Sequence, residues 1–224
     1  MKTTHTLTLI AFGSALLAAG CFGGAYTLAN AKDNTSATTI TRELAWDGSA
    51  TLTLGVPSVV RYVQAPGPGK VVARGPERSV STLIVSGGHI HDQLLRTGAV
   101  LDITVTAPGV RHFYLNGRSR LSIENYDQDR LSVRTEGSAA VDVTGRTTEV
   151  TVVMEGAGAI NLARLDVQTL NGTVAGAGTL IAAPTGTTTL DMRNFSSAVL
   201  LTKPADLRTK LSDSGRVIDA AVRK

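Results

Sequence analysis

Cysteine is almost missing from this chain: Cys21 is the single one among 224 residues, so no disulfide can close within it and a disulfide-stapled scaffold is excluded. Aromatics are scarce as well, with four Phe, four Tyr and one Trp, so the core must be filled by aliphatic and small side chains. Four histidines and no Gly-x-Ser-x-Gly elbow leave no Ser-His-Asp arrangement to select. No phosphate-binding loop occurs. No stretch repeats with a helical period. What is present is 42% hydrophobic residues, too many for a mostly disordered chain, and 23 glycines among many Thr, Val and Ala. That composition points to short strands and tight turns. The net charge of +4 is compatible with anionic polymers without demanding them.

The N-terminal residues have the layout of an export signal. Thr3 to Ala31 carry no formal charge, and Leu7 to Ala19 form an apolar run behind Lys2. Ala29-Asn30-Ala31 is an A-x-A site directly before Lys32 and Asp33, and cutting there leaves residues 32–224 without cysteine. A second reading takes Leu17-Ala18-Ala19-Gly20-Cys21 as a lipobox in which Cys21 is acylated, although the leucine sits one place too far from the cysteine and Phe22 to Ala29 stays apolar. A third leaves residues 6–29 uncut as an anchor, since about 20 apolar residues span a bilayer. All three place the rest of the chain outside the cytoplasm, in the periplasm or at the cell surface. Nucleic acid is then not an expected partner, and the membrane is met only through the N-terminal segment. Residues 32–42 read as a Thr-rich linker, with the domain over 43–224.

The second half repeats. Gly117 to Leu121 reads GRSRL, Gly137 to Val141 GSAAV, Gly156 to Ile160 GAGAI, Gly176 to Leu180 GAGTL, Phe195 to Val199 FSSAV and Asp213 to Val217 DSGRV. The closing apolar residues lie at 121, 141, 160, 180, 199 and 217, in steps of 20, 19, 20, 19 and 18. A second column holds Leu131, Val150, Leu170, Leu190 and Leu207. Around both, apolar side chains fall two apart, as in Val141-Asp142-Val143 and Val199-Leu200-Leu201, the spacing of one face of a strand. A unit of this size cannot bury its own apolar face, so the repeats must stack as a solenoid whose columns become ladders. Gly156-Ala157-Gly158 and Gly176-Ala177-Gly178 recur with the repeat and no helix follows, so they are corners and not a dinucleotide cradle. The expected fold is all-β, a β-solenoid of about 19–20 residues per coil with regular repeats over about 113–217. The first half reads as irregular strands at Leu44 to Leu54, Val59 to Val63, Lys70 to Ala73, Ser81 to Val85 and Leu101 to Thr106 that cover the open end. The tail from Asp213 to Lys224 is expected to close the other end.

These residues resemble a known family. The run from Leu101 to Ala183, opening LDITVTAPGV, and the earlier WDGSATLTLGVPSVVRYVQAPG are similar to the GIN domain, described as the putative auto-transporter adhesin head domain; the likeness covers residues 43–201. It implies an exported bacterial right-handed parallel β-helix and little about activity; the expected role, a rigid non-catalytic binding or structural module of the cell envelope, follows from the extended regular arrays of side chains that solenoids present. It supplies no catalytic motif and no cofactor. The chain departs from the pattern at Phe195 and Asp213, where the motif glycine is lost.

Three groups of side chains are candidate sites. Glu136 and Glu155 precede corner glycines in a column with Asn116, Ala175 and Asn194, about 5 Å apart if the register holds. Such a pair repels, so that one carboxyl could keep a proton or the two share a cation; this is the acid and base of a rival reading, a polysaccharide lyase or glycoside hydrolase on the same scaffold. The alternative leaves both in water at a turn. His89 and His91 fall on one side of a strand, with His112 a third imidazole for a transition metal, although zinc usually takes three or four ligands. Otherwise they are surface histidines beside a Gly-Gly turn. Arg111, Arg118, Arg120, Arg130 and Arg134, with Tyr114 and Tyr126, would form a wall able to grip an acidic polysaccharide, or simply the solvated face of half-buried strands. The expected partner is an envelope or extracellular polysaccharide, or another envelope protein.

Overall fold

The computed structural model describes residues 38–94 and 99–221, which belong to one compact unit, Ser36–Lys224. The export signal, Cys21 and the site after Ala31 lie outside the described residues. Alternating burial along nearly every segment produces strands. The first half holds β1 (Thr39–Ala45), β2 (Thr51–Leu54), β3 (Ser58–Gln64), β4 (Lys70–Pro76), one short helix α1 (Glu77–Val80), β5 (Leu83–Ser86), β6 (His89–Asp92) and β7 (Leu101–Ala107). Then follow β8 (His112–Gly117), β9 (Arg120–Asp127), β10 (Arg130–Gly137), β11 (Ala140–Gly156), β12 (Ala159–Gly176), β13 (Thr179–Pro184), β14 (Thr187–Met192), β15 (Ser197–Leu200), β16 (Asp206–Leu211) and β17 (Arg216–Asp219).

The strands stack into two parallel ladders. One runs β6, β2, β8, β10, the second half of β11, the second half of β12, β14 and β16. The other runs β7, β3, β9, the first half of β11, the first half of β12, β13, β15 and β17. Gly117, Gly137, Gly156 and Gly176 share one corner column, and the strand registers continue it to Asn194 and Asp213; these six corners bound five turns of a β-solenoid. All six have positive φ, where glycine is at ease and Asn and Asp are the next most tolerant. Antiparallel pairing of β1 with β4 and of β4 with β7 continues the second ladder outward, and β5 pairs antiparallel with β6 at the end of the first. The irregular first half thus covers the N-terminal end of the stack.

The structure corrects several sequence expectations by small shifts. β1 begins at Thr39, inside the segment assigned to the linker, and Leu44 to Leu54 is two strands, separated around Asp47 and Gly48 (φ +80). β11 and β12 run unbroken for 17 and 18 residues around a corner, where short strands separated by tight turns were expected. The closing column takes Ala198, not Val199, because Ala198 pairs with Leu180 and Val217 while Val199 pairs with Ile181 and Ile218 on the outer face. That outer face is itself apolar, so the run from Ala198 to Leu201 alternates nothing that a sequence reading can use. The lost corner glycine is likewise at Asn194, not Phe195, which leaves Phe195 76% exposed. Arg193, not Asn194, follows Ala175 in the column before the corner.

In the other ladder Thr188, not Leu190, stacks on Leu170; Leu190 pairs with Gly172 and reaches into the space a side chain there would fill. The tail does not close the far end: residues 216–219 form β17, which simply continues the stack.

The core is a column of aliphatics, with Val141, Ile160 and Leu180 at 1%, 0% and 0% exposure on successive coils. Burying each such side chain fully is worth about 1.5–3 kcal/mol. The few aromatics concentrate near the covered end, where Phe113 packs edge-on between Tyr62 and Tyr126, with ring centroids 5.1 and 6.5 Å away. Both phenols are satisfied: Tyr62 Oη donates to the Ala107 carbonyl at 2.9 Å and Tyr126 Oη to the Arg130 carbonyl at 2.5 Å.

Candidate functional site: the outer wall of the first ladder

The outward residues of this ladder form columns, because parallel in-register stacking puts each side chain beside its counterpart one coil away. Glu136 and Glu155 are such counterparts, paired in register with Asn116 on the preceding strand. Their adjacency is as the sequence spacing expects, but a cation already lies between them. Arg134 Nη2 stands 3.0 Å from Glu136 Oε1 and 3.3 Å from Glu155 Oε1. Tyr114 Oη donates to the same Glu136 oxygen at 2.5 Å, and the Arg134 guanidinium lies 5.6 Å from the Tyr114 ring centroid. The hydrogen bond from Tyr114, then that from Arg134, holds the Glu136 carboxyl below the usual carboxylate range. A general acid needs the opposite shift. The repulsion expected to leave one carboxyl protonated is cancelled by a residue two positions along the same strand.

The five arginines do not share one wall. Arg111, Arg130 and Arg134 lie on the first ladder's side, whereas Arg118 sits at the corner and Arg120 opens β9 between Val59 and Ala140 in the second ladder. Tyr126 is buried and takes no part in any wall. Arg111 and Arg130, both exposed, border a hollow of about 370 Å³ with Asp129, Thr148 and Glu149, and an adjoining one of about 340 Å³ that adds His112 and Ser132. Arg130 Nε is 3.5 Å from Glu149 Oε2. Arg111 Nε donates to Gln128 Oε1 at 3.1 Å, and Arg111 forms no ion pair among the described residues.

His89 and His91 do fall on one strand, β6, with the buried Ile90 between them. His112 is separated from β6 by β2, opposite Thr51, so it stands two strands away, roughly 10 Å, and does not join the pair. Among the described residues no three His, Cys, Asp or Glu side chains gather as a metal-binding group.

One feature of the opposite corner escaped the sequence reading. Arg146 makes a bidentate contact with Asp127, both nitrogens at 2.8 Å, beside a hollow of about 310 Å³ bordered by Gln128, Asp166 and Gln168. Arg61 clasps Glu124 in the same two-pronged way, at 2.8 and 2.6 Å. The signal becomes readable only once the register is known, which sets Arg146 opposite Asp127 and Arg61 diagonally across from Glu124.

Residues 82–217 match the family described as "Putative auto-transporter adhesin, head GIN domain". The chain belongs to that family. Among solved structures, the GIN domain here is similar to a putative adhesin of Bacteroides fragilis, at 16% identity and a TM-score of 0.62, over 77% of this chain and 92% of that one. At that identity the likeness concerns the fold. A putative lipid binding protein of Parabacteroides distasonis (13% identity, 80% and 95% coverage, TM-score 0.48) and a putative adhesin of Parabacteroides merdae (11%, 80% and 95%, 0.47) are also similar. No curated protein matches the chain.

Proposed function

We propose that this GIN-domain protein is an exported bacterial envelope protein whose solenoid is a rigid, non-catalytic binding module for an anionic polysaccharide of the envelope or its surroundings. The observation that carries the reading is the pair Arg111 and Arg130, exposed beside the same hollows, with Arg111 free of any ion pair among the described residues. A guanidinium without an acidic partner offers bidentate contact to a carboxylate or sulfate group. Hollows of this size on a flat wall fit a short stretch of a repeating polymer better than an enclosed substrate. The family's description and that of the Bacteroides fragilis structure, each a putative adhesin, support the same direction. Glu136, held below the usual carboxylate range by Tyr114 and then Arg134, lacks the raised affinity for a proton that the acid of a cleaving enzyme needs.

Export rests on the charge-free stretch from Thr3 to Ala31 and the A-x-A site. Cleavage after Ala31 predicts a mature N-terminus at Lys32; the intact mass of the protein recovered from its native cell tests this, and a lipid mass on Cys21 or an uncut chain refutes that site. For binding, the protein is incubated with neutral and anionic polysaccharides, scoring retention and new chain ends together. Retention on anionic polymers that falls at least tenfold in Arg111→Ala/Arg130→Ala and weakens with salt is expected. Release of new ends refutes the non-catalytic reading, and retention indifferent to both arginines refutes the site.

A further inference from the structure

The two ends of the solenoid are finished differently. β1, β4 and β7 continue one ladder past the repeats at the N-terminal end, and β5 pairs on the outside of β6. At the C-terminal end the last rungs, β16 and β17, pair only inward, with β14 and β15, and no strand pairs with their outer edges among the described residues. Core positions are bare there. Leu207 and Leu211 stack on Thr188 and Met192, which are fully buried, yet are themselves 42% and 51% exposed.

The backbone at this edge has a definite polarity. The Asp206 amide donates to Gly186 and the Ser212 amide to Met192, both inward. In a parallel pair the amides of alternate residues face the same neighbour, so those of Leu207, Thr209 and Leu211 face the open edge. An edge of this kind is a template for another strand.

We infer that this end is an interface between two copies of the chain, in which β16 pairs antiparallel with β16 of the second copy. Charge chooses the occupant. The outward side chains of β16 are Asp206, Arg208 and Lys210, with the acid at one end and the bases toward the other. Antiparallel pairing centred on Leu207 sets Asp206 of each copy opposite Arg208 of the other, so that the contact Arg208 Nη2 makes with Asp206 Oδ2 of its own chain at 2.9 Å gains two cross-copy counterparts related by the twofold axis; the register centred on Arg208 gives Asp206 to Lys210 but sets Arg208 against itself. Parallel pairing in register would instead set each charge against itself. The register that opposes Leu207 with Leu211 opposes Arg208 with Lys210 twice, so the charges also select between antiparallel alignments. In the register centred on Leu207, that leucine is covered by its counterpart in the partner's inward row. The inference does not rest on the polysaccharide reading.

Sedimentation velocity of the full chain across a concentration series tests it, with three variants beside the wild type. Arg208→Glu/Lys210→Glu makes the edge wholly acidic and should weaken the dimer at least tenfold; adding Asp206→Lys to that pair restores opposite charges and should recover it. Thr209→Pro removes an edge donor while leaving the inward pairing intact, and should yield a monomer whose melting temperature matches that of the wild type at dilutions where the wild type is itself monomeric. A wild-type chain that stays monomeric to about 100 µM, roughly a 5 kcal/mol association, overturns the inference. So does a dimer that survives the charge reversal, or one that the triple variant fails to restore.

Discussion

Two corner glycines differ both in backbone angle and in close approach. Gly117 has φ +72 and nothing within 4 Å of where a Cβ would stand. Gly156 has φ +118, and a Cβ there would lie 2.4 Å from the Gly137 carbonyl oxygen and 2.9 Å from its nitrogen, on the backbone of the coil below. Gly117→Ala therefore meets only the conformational penalty, about 1–2 kcal/mol, offset by about 0.4–1 kcal/mol from the stiffer unfolded chain. Gly156→Ala adds an overlap with main-chain atoms that cannot rotate away, worth about 1–3 kcal/mol more. The expected losses are about 1 kcal/mol and about 3 kcal/mol. For a domain of this size each kcal/mol shifts Tm by roughly 2–4 °C, so melting followed by circular dichroism should fall by about 3 °C and about 9 °C. Equal drops would refute the argument that the wider φ and the coil-on-coil contact together make glycine more necessary at Gly156 than at Gly117.

Three further outcomes follow from the core and the wall. Thr188 is fully buried in the Leu131, Val150, Leu170 column and its hydroxyl lacks a hydrogen-bond partner, so Thr188→Val should stabilise by about 1 kcal/mol; a lower denaturation midpoint would refute this. Ile160→Asp places a charge between Val141 and Leu180 and should cost at least 4 kcal/mol, read as loss of the cooperative transition at ordinary temperatures, whereas an unchanged Tm would remove Ile160 from the core. Glu136 is depressed in the folded state, so its contribution exists above the unfolded carboxyl pKa and is lost as pH falls through the lower folded value. Carboxyl NMR should find its midpoint below that of the unfolded chain, and Tyr114→Phe should raise it; no movement would show that the phenol is not the main cause.

The fold was legible because stacking leaves a period in the sequence. The columns through Leu121, Val141, Ile160 and Leu180 were readable since inward positions are apolar and outward neighbours polar or small. Reading failed where that contrast fails. Val199 and Leu201 are as apolar as Ala198 and Leu200, and a one-residue slip exchanges the faces of a strand. Thr188 looked outward because it carries a hydroxyl, and Leu190 looked like its replacement because nothing in one coil announces that Gly172, a coil earlier, has left room for it. At the corner, Asn194 and Asp213 keep the positive φ of the glycines they follow, and these turns are closed by the Ser196 amide on the Arg193 carbonyl and the Gly215 amide on the Ser212 carbonyl.

The wall was legible in its adjacencies and not in its charges. Column neighbours follow from the period alone, which places Glu136 beside Glu155. What those carboxylates do depends on diagonal neighbours, and Arg134 reaches both from its own place in the next column. The same rule separates arginines that hold the solenoid together from those left to meet something else. Arg61, Arg134, Arg146, Arg193 and Arg208 each have a carboxylate of their own chain within 3.0 Å. Arg111, Arg118 and Arg120 form no ion pair among the described residues. Arg74, Arg78, Arg164, Arg216 and Lys203 share that lack, and what marks Arg111 among them is the hollow it borders with a second exposed arginine, Arg130. That is why the pair, and not the more conspicuous glutamates, is where a ligand's charge should be sought.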